Sequence, residues 1–200
     1  MEKGTISRAI QIFRQHDSIM HTRQAIDAGI SPRTLYEMRD RGLLTMLDRG
    51  LFRLADAPPL EQPDLVTVAL GVPKGVVCLI SALAFHNLTS QIPHQVYVAL
   101  PVSAEKPRFS YPPIRLFWLS GEVYSSGIEI HELDHVKILI YRREKSVADC
   151  FKFRNKIGMD VAREALRESL RQGCKVDQLL EYARIDRVEK IMRPFLEALL

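Results

Sequence analysis

The stretch from Thr22 to Leu54 constrains the fold most strongly, because its turn residues divide it into two short helices and a hairpin. Thr22 is predicted to cap the first helix, and Gly29 to end it in a left-handed conformation that a side chain would resist. Ser31 is predicted to cap the second helix, with Pro32 at the first helical position, where its missing N–H is not needed.

The second helix has one apolar face and is followed by a hairpin. Leu35 and Met38 are three residues apart, so both are expected to face inward. The hairpin spans residues 44–54, with its turn at 48–50, and an amphipathic helix at 5–16 is expected to support the motif from behind. This order predicts a winged helix-turn-helix, whose second helix commonly lies in the DNA major groove.

The outward side chains of this motif suit DNA, since arginine and polar side chains contact phosphates and base edges. Three carboxylates, Glu37, Asp40 and Asp48, argue the other way. Arg33, Thr34 and Tyr36 are predicted to approach base edges. The whole predicted DNA-binding set is Thr22, Arg23, Ser31, Arg33, Thr34, Tyr36, Arg39, Arg41 and Arg49, with Arg49 at the tip of the wing.

The charge distribution is mild for a nucleic-acid-binding protein. The net charge is +4. Residues 1–56 hold nine Lys and Arg and seven Asp and Glu, residues 57–140 hold five and seven, and residues 141–200 hold fourteen and ten. A net charge of +2 over residues 1–56 is too small to hold DNA firmly. A second basic surface, or a second subunit, is therefore expected to contribute to affinity.

Composition favours a globular protein of the reducing cytoplasm. The hydrophobic fraction is 46%, and no run of about 18 apolar residues predicts a membrane span. The first residues lack the apolar segment of a secretory signal. Cys78, Cys150 and Cys174 are too widely spaced for a disulfide framework or a zinc site, so buried free thiols are expected. No metal or cofactor is predicted.

A proline-rich segment predicts the domain boundary. Residues 55–63 contain three prolines and no periodic pattern, which is typical of a linker. The predicted domains are therefore a winged helix-turn-helix at 1–56 and an α+β domain at 64–200. The second domain is predicted to begin with helices at 64–71, capped by Asp64, and at 81–88, followed by about four strands at 95–100, 114–119, 128–133 and 136–141.

The last third of the chain has a helical pattern. Asp160 is predicted to cap one helix, Gly173 to end it, and Pro194 to bend or restart the last one. The predicted helices span 144–156, 160–172, 176–183 and 188–200. The predicted fold class is therefore α+β: an N-terminal winged helix-turn-helix, then a small mixed-sheet domain with a helical C-terminal bundle.

One segment matches a metal-binding pattern. His131-Glu-Leu-Asp-His135 has the spacing of zinc metalloproteases, whose chemistry requires a helix that brings both imidazoles to one face. The flanking residues here have strand character instead. In a strand, residues four apart lie about 13 Å from each other, too far for one zinc ion. A zinc site is not predicted.

No catalytic residues are predicted. Ser81, His86 and Asp149 could be arranged on paper as a triad, but no nucleophile elbow accompanies them. Ser81 is instead expected to cap a helix and His86 to be partly buried. The chain is accordingly predicted not to be an enzyme.

A stripe of positive charge runs along the predicted helix at 160–172. Arg163, Arg167 and Arg171 are spaced four residues apart, and Lys175 continues the series. Glu164 and Glu168 partly offset this charge. One interpretation is a solvated helix face, and the alternative is a second surface that contacts phosphates or an acidic partner.

The order of motifs is similar to that of a known family. The winged helix-turn-helix is followed by Cys78-Leu-Ile-Ser-Ala-Leu-Ala-Phe-His-Asn-Leu88, by Pro93-His-Gln-Val-Tyr-Val98, and by Glu144-Lys-Ser-Val-Ala-Asp149 at the start of the helical tail. With these elements the chain resembles the AbiEi-type antitoxin and transcriptional regulator family over nearly its whole length. The last element is interpreted as structural, its acidic and hydroxyl groups satisfying N–H groups near a helix start.

The resemblance implies a bacterial regulator that binds double-stranded DNA at inverted repeats in its own promoter. It also implies a partner, a nucleotidyltransferase-like toxin encoded beside it. The alternative from the residues is a protein-interaction module that neutralises a partner by contact, without specific DNA binding. Inverted repeats suit a dimer on DNA, although no dimer interface is readable in the sequence.

Overall fold

The chain folds into two units. A computed structural model describes residues 2–200, with side chains from residue 4 onwards. One unit runs to Val72 and also contains residues 107–112 and 133–136, and the other contains 73–106, 113–132 and 137–200. Helices and strands are both present, in agreement with the predicted α+β class. Within the described residues, every helix is too short or too polar to cross a membrane.

The N-terminal unit combines four helices with a small antiparallel sheet. The helices are α1 (Glu2–Gln15), α2 (Thr22–Asp27), α3 (Pro32–Asp40) and α4 (Pro63–Gly71), and the strands are β1 (Ile19–His21), β2 (Leu44–Asp48) and β3 (Leu51–Leu54). The sheet order is β1-β3-β2. The two helices and the hairpin lie where the sequence predicts them, while β1 is too short to be recognised by periodicity.

A single apolar core joins these elements. Phe13 of α1 and Leu35 and Met38 of α3 are fully buried, and they belong to one cluster with Met20 of β1 and Phe52 of β3. Helix α1 therefore supports the helix-turn-helix from behind, as predicted. Burial of such large apolar side chains stabilises the unit by roughly 1.5–3 kcal/mol each.

Thr22 does not cap α2, which corrects the prediction. The helix begins at Thr22 itself, preceded by His21, whose N–H donates to Gln24 Oε1 at 2.9 Å. The Thr22 hydroxyl and backbone N–H both donate to the Gly50 carbonyl, at 3.2 and 2.8 Å. These two hydrogen bonds join the start of α2 to the turn of the hairpin.

Helix α4 belongs to the N-terminal unit, so the division between units falls after Val72, beyond the proline-rich segment. Asp64 lies in the first turn of α4 and is not its cap, because the helix already begins at Pro63. At the end of α4, Gly71 contacts Phe109, and a Cβ atom there would lie 2.4 Å from the ring. Only glycine allows this close approach of helix and loop.

The second unit is built on a mixed five-stranded sheet. Its strands are β4 (Val76–Val77), β5 (Val96–Pro101), β6 (Ile114–Leu119), β7 (Ile128–Leu133) and β8 (Val136–Tyr141), in the order β6-β5-β4-β8-β7. Strand β4 is antiparallel to β5 and parallel to β8, and β5 is parallel to β6. The four predicted strands are confirmed, and the fifth, β4, is only two residues long.

Seven helices of this unit are described. They are α5 (Leu79–Phe85), α6 (Gly121–Ser125), α7 (Arg143–Lys152), α8 (Arg154–Ile157), α9 (Met159–Arg171), α10 (Val176–Ile185) and α11 (Glu189–Glu197). The predicted helix at 144–156 is divided at Phe153. Asp160 lies in the first turn of α9 and does not cap it, since Gly158 precedes the helix. Pro194 lies inside α11, which continues through it without a restart.

A buried lysine lies at the centre of the helical tail. Lys145 is fully buried, and its ammonium donates to Asp149 one turn away on α7 and to both oxygens of Asp186, at 3.2 and 3.3 Å. Asp186 follows the last residue of α10, and its backbone carbonyl also accepts from Lys152 at 3.2 Å. The cluster therefore joins α7 to the junction between α10 and α11.

The Glu144 to Asp149 element thus differs from its predicted role. Lys145 and Asp149 of this element belong to the buried cluster, Glu144 lies in the first turn of α7, and no side chain caps the helix. Burial alone would lower the pKa of Lys145, but the two carboxylates outweigh it and raise this pKa. Burial raises the pKa of Asp149 well above its ordinary value, against the opposing effect of Lys145.

We expect Lys145→Met to destabilise the protein by about 3–5 kcal/mol, because it leaves two buried carboxyl groups without their cation. Lys137→Met, on the exposed side of β8, is the matched control and should change stability by less than about 0.5 kcal/mol. Urea unfolding followed by circular dichroism measures both. Similar small shifts for the two variants would mean that the cluster does not hold the helices.

Candidate nucleic-acid interface

The residues that anchor α3 determine which face of the helix is directed to solvent. Ser31 Oγ accepts from the Thr34 N–H at 3.1 Å, and Pro32 occupies the first helical position, as predicted. Gly29 and Gly42, on either side, have left-handed φ angles of 92° and 71°. Because Leu35 and Met38 are buried in the core, the opposite face of the helix is directed to solvent.

Three of the predicted residues share this exposed face. Arg33 and Arg39 are exposed, and Tyr36 is 46% exposed, with the Arg39 guanidinium 5.0 Å from its ring centroid. Together with Glu37, Asp40 and Arg41, residues Arg33 and Tyr36 line a depression of about 540 Å³. Such a surface offers a cation and an aromatic ring side by side, which suits base edges and phosphates.

Thr34 does not share this face, which corrects its predicted approach to base edges. It is only 7% exposed, and its Oγ1 lies 2.9 Å from Ser31 Oγ. The hydroxyl groups of Ser31 and Thr34 therefore serve the helix start. The Thr22 hydroxyl likewise donates to the Gly50 carbonyl, so the serine and the two threonines of the predicted set have structural roles.

The arginines of the set differ in their ion pairs. Arg39 donates to Asp40 through two nitrogens, at 2.9 and 2.7 Å, and Arg41 pairs with Glu37 at 2.5 Å. The four-residue spacing of Glu37 and Arg41 is a signal that the sequence already contained. Arg23 is 94% exposed and lies 3.9 Å from Asp27. Arg33 and Arg49 have no ion pair among the described residues, so their charge is available to a ligand.

In the wing, the Arg49 side chain is directed to solvent and the Asp48 carboxylate is buried. Arg49 is exposed in the turn between β2 and β3. Asp48, beside it, is 8% exposed, and its Oδ1 accepts the backbone N–H groups of Ser110 and Tyr111 at 3.1 and 3.3 Å. The sequence suggests that Asp48 would repel DNA. Its carboxylate instead holds the loop at 107–112 of the same unit.

The His131 to His135 segment lies on β7 and the turn that follows it, as its strand character predicts. Asp134 and His135 have positive φ angles of 50° and 64°. His131 lies 3.3 Å from Glu129 and packs edge-on against Phe85 at 4.8 Å. Within the described residues, no group of three or more His, Cys, Asp or Glu side chains is arranged to hold a metal ion.

The possible triad of Ser81, His86 and Asp149 does not form, and each of the three residues has its own structural role. Ser81 lies inside α5, where its hydroxyl accepts the Tyr97 N–H at 3.0 Å, so it is not a cap. His86 is buried and its Nε2 donates to the Tyr141 carbonyl at 2.8 Å. Burial lowers the pKa of His86, which favours the neutral imidazole. Asp149 belongs to the Lys145 cluster.

Ser31→Ala should destabilise the N-terminal unit by about 1 kcal/mol, because it removes the acceptor for the first turn of α3. Ser31→Asp is the matched control, since aspartate keeps an N-cap acceptor and should unfold close to the parent. Thermal unfolding of the full chain measures the difference. If alanine and aspartate lowered the midpoint equally, the cap would not fix this helix.

Comparison with known proteins identifies the N-terminal segment. Residues 7–55, about a quarter of the chain, match the family model described as transcriptional regulator, AbiEi antitoxin. A search of curated proteins gives no match. The family match covers α2, α3 and the hairpin, which carry the exposed arginines described above. Residues 7–55 are therefore similar to the AbiEi antitoxin transcriptional regulator family.

Proposed function

We propose that this protein is a sequence-specific DNA-binding transcriptional regulator that inserts α3 into the major groove. The observation that carries this proposal is that Arg33 and Tyr36 are both exposed on one face of α3 and line the same depression, while the opposite face is buried in the core. Arg33 has no ion pair among the described residues, so it can bind a guanine edge without first losing a protein partner. A bidentate arginine contact is the commonest specific contact in the major groove.

The remaining arginines are suited to contacts with DNA phosphates, which position the protein on the duplex. Arg23 on α2, Arg39 and Arg41 at the end of α3, and Arg49 on the wing are all exposed. Their ion pairs with Asp27, Asp40 and Glu37 are at the surface, where such pairs contribute about 0–1 kcal/mol. These arginines can therefore exchange their carboxylate partners for DNA phosphates with little loss of free energy. Arg49 requires no exchange, which favours it as a phosphate contact.

The family match of residues 7–55 supports the role of an antitoxin-type transcriptional regulator, and the finer part of the proposal extends that role. The protein binds inverted repeats at its own promoter, as a dimer on DNA, and counteracts a nucleotidyltransferase-like toxin encoded beside it. The experiment that tests the DNA half is an electrophoretic shift of the promoter fragment at moderate salt. No shift there, together with co-purification of the neighbouring gene product, would favour a protein-interaction module that acts by contact.

Arg33 and Arg49 should differ in how they affect binding. Arg33→Ala should cost about 1–3 kcal/mol on the promoter and little on a scrambled duplex, because a base contact is lost. Arg49→Ala should weaken binding to both duplexes and reduce the salt slope by about 1, because a phosphate contact is lost. Fluorescence anisotropy across a salt series measures both. Equal losses on every duplex from both variants would contradict the division of roles.

Glu37→Gln should tighten binding to every duplex by about threefold, because it removes a negative charge from the DNA-facing side and releases Arg41. Asp64→Asn makes the same change of charge on the exposed start of α4 and serves as the control. The same anisotropy assay compares them. Tighter binding of Asp64→Asn by the same factor would show that only the net charge matters.

A further inference from the structure

The second unit carries a groove between α9 and α11. Asp160, Arg163, Glu164 and Arg167 line it from α9, and Phe195, Ala198 and Leu199 line it from α11 and the residues after it. Its volume is about 430 Å³. We call it the α9–α11 groove. One of its walls carries charge and the other is apolar, and neither wall belongs to the proposed DNA-binding domain.

The charged wall has cations that the protein leaves available. Arg167 is exposed and has neither an ion pair nor a hydrogen bond among the described residues. Arg163 lies 3.7 Å from Asp160, a long pair whose aspartate is fully exposed. Arg171, one turn further along α9, extends the positive charge beyond the groove.

Glu164, which the sequence suggests would offset the charge of this wall, makes its hydrogen bonds elsewhere, although its negative charge still interacts with Arg167. One oxygen accepts both the backbone N–H and the hydroxyl of Ser90 at 2.9 Å, and the other accepts from Thr89 at 3.3 Å. The backbone hydrogen bond from Ser90 is the main cause that lowers the pKa of Glu164. The carboxylate holds the loop after α5, so it makes no hydrogen bond to the arginine stripe.

The apolar wall is exposed where a solvated face would be polar. Leu199 is 44% exposed, Ala198 is exposed, and Phe195 is half-buried with the Arg163 guanidinium 5.6 Å from its ring centroid. An exposed apolar surface rimmed by charged residues is typical of an interaction site. The arginine stacked on Phe195 is held at the boundary between the two walls.

The chemistry of the groove favours a protein segment over nucleic acid. A phosphate backbone would leave Phe195, Ala198 and Leu199 without an apolar partner. An acidic segment with one large apolar side chain satisfies both walls. Its carboxylates can form charge-assisted hydrogen bonds with Arg163 and Arg167, while the apolar side chain is buried against the second wall.

We propose that the α9–α11 groove binds an acidic amphipathic segment of a partner protein. Carboxylates of this segment pair with Arg163 and Arg167, and a leucine or phenylalanine packs against Phe195 and Leu199. The groove belongs to the second unit, whereas α3 and the wing belong to the first.

The test uses the full-length protein and the fluorescein-labelled peptide Glu-Glu-Asp-Leu-Phe-Glu-Asp-Glu. We expect saturable binding with a Kd of about 10–100 µM by anisotropy. Arg167→Ala should weaken binding about tenfold, and Leu199→Asp should weaken it by a similar factor. Lys190→Ala removes one positive charge from the exposed side of α11 outside the groove, and it should bind within twofold of the parent.

Two comparison peptides, one with lysines for the acidic residues and one with alanines for Leu-Phe, should bind at least tenfold more weakly. Unchanged unfolding midpoints show that the variants fold. Three results would overturn the proposal: no saturable binding of the acidic peptide, equal losses from Arg167→Ala and Lys190→Ala, or an Arg167→Ala effect on duplex DNA but not on the peptide. The last result would assign the groove to phosphates.

Discussion

A lysine without access to solvent keeps its charge only if carboxylates remain beside it, and the helical tail depends on this constraint. Lys145 meets Asp149 on its own helix and Asp186 at the end of α10. Loss of the cation would leave two desolvated carboxyl groups, which costs more than the pair contributes. The cluster thereby fixes the turn from which α11 begins, and α11 forms one wall of the α9–α11 groove.

The proposed DNA-binding face is governed by a different balance, between cations and the carboxylates placed beside them. Glu37 and Asp40 hold Arg41 and Arg39 at the surface, while Arg33 has no such partner in the part of the chain that the structure describes. Exposed pairs of this kind are weak, so they reduce non-specific attraction without preventing phosphate contacts. In the DNA complex that we propose, specificity depends on the geometry of α3, and affinity on contacts supplied by several elements or by a second subunit.

Much of the fold could be predicted because its signals are local. Glycine, proline and serine mark the ends of α2 and α3, and short runs rich in apolar residues mark the four longer strands of the second unit. The short strands β1 and β4 escaped prediction, because two or three residues show no period. Cap assignments for Thr22, Asp64 and Asp160 were wrong, because a capping residue and a residue of the first turn look alike in sequence.

By itself, the sequence determined the winged helix-turn-helix, the exposed arginine series on α3 and α9, and the resemblance that the family match confirms for residues 7–55. Only the tertiary structure decided what each polar side chain does. Thr34 and Asp48 are buried in it, and Lys145 lies between two aspartates. The physical reason is that a side chain's partner is set by which segments meet in space, and spacing along the chain carries no record of contacts between distant segments.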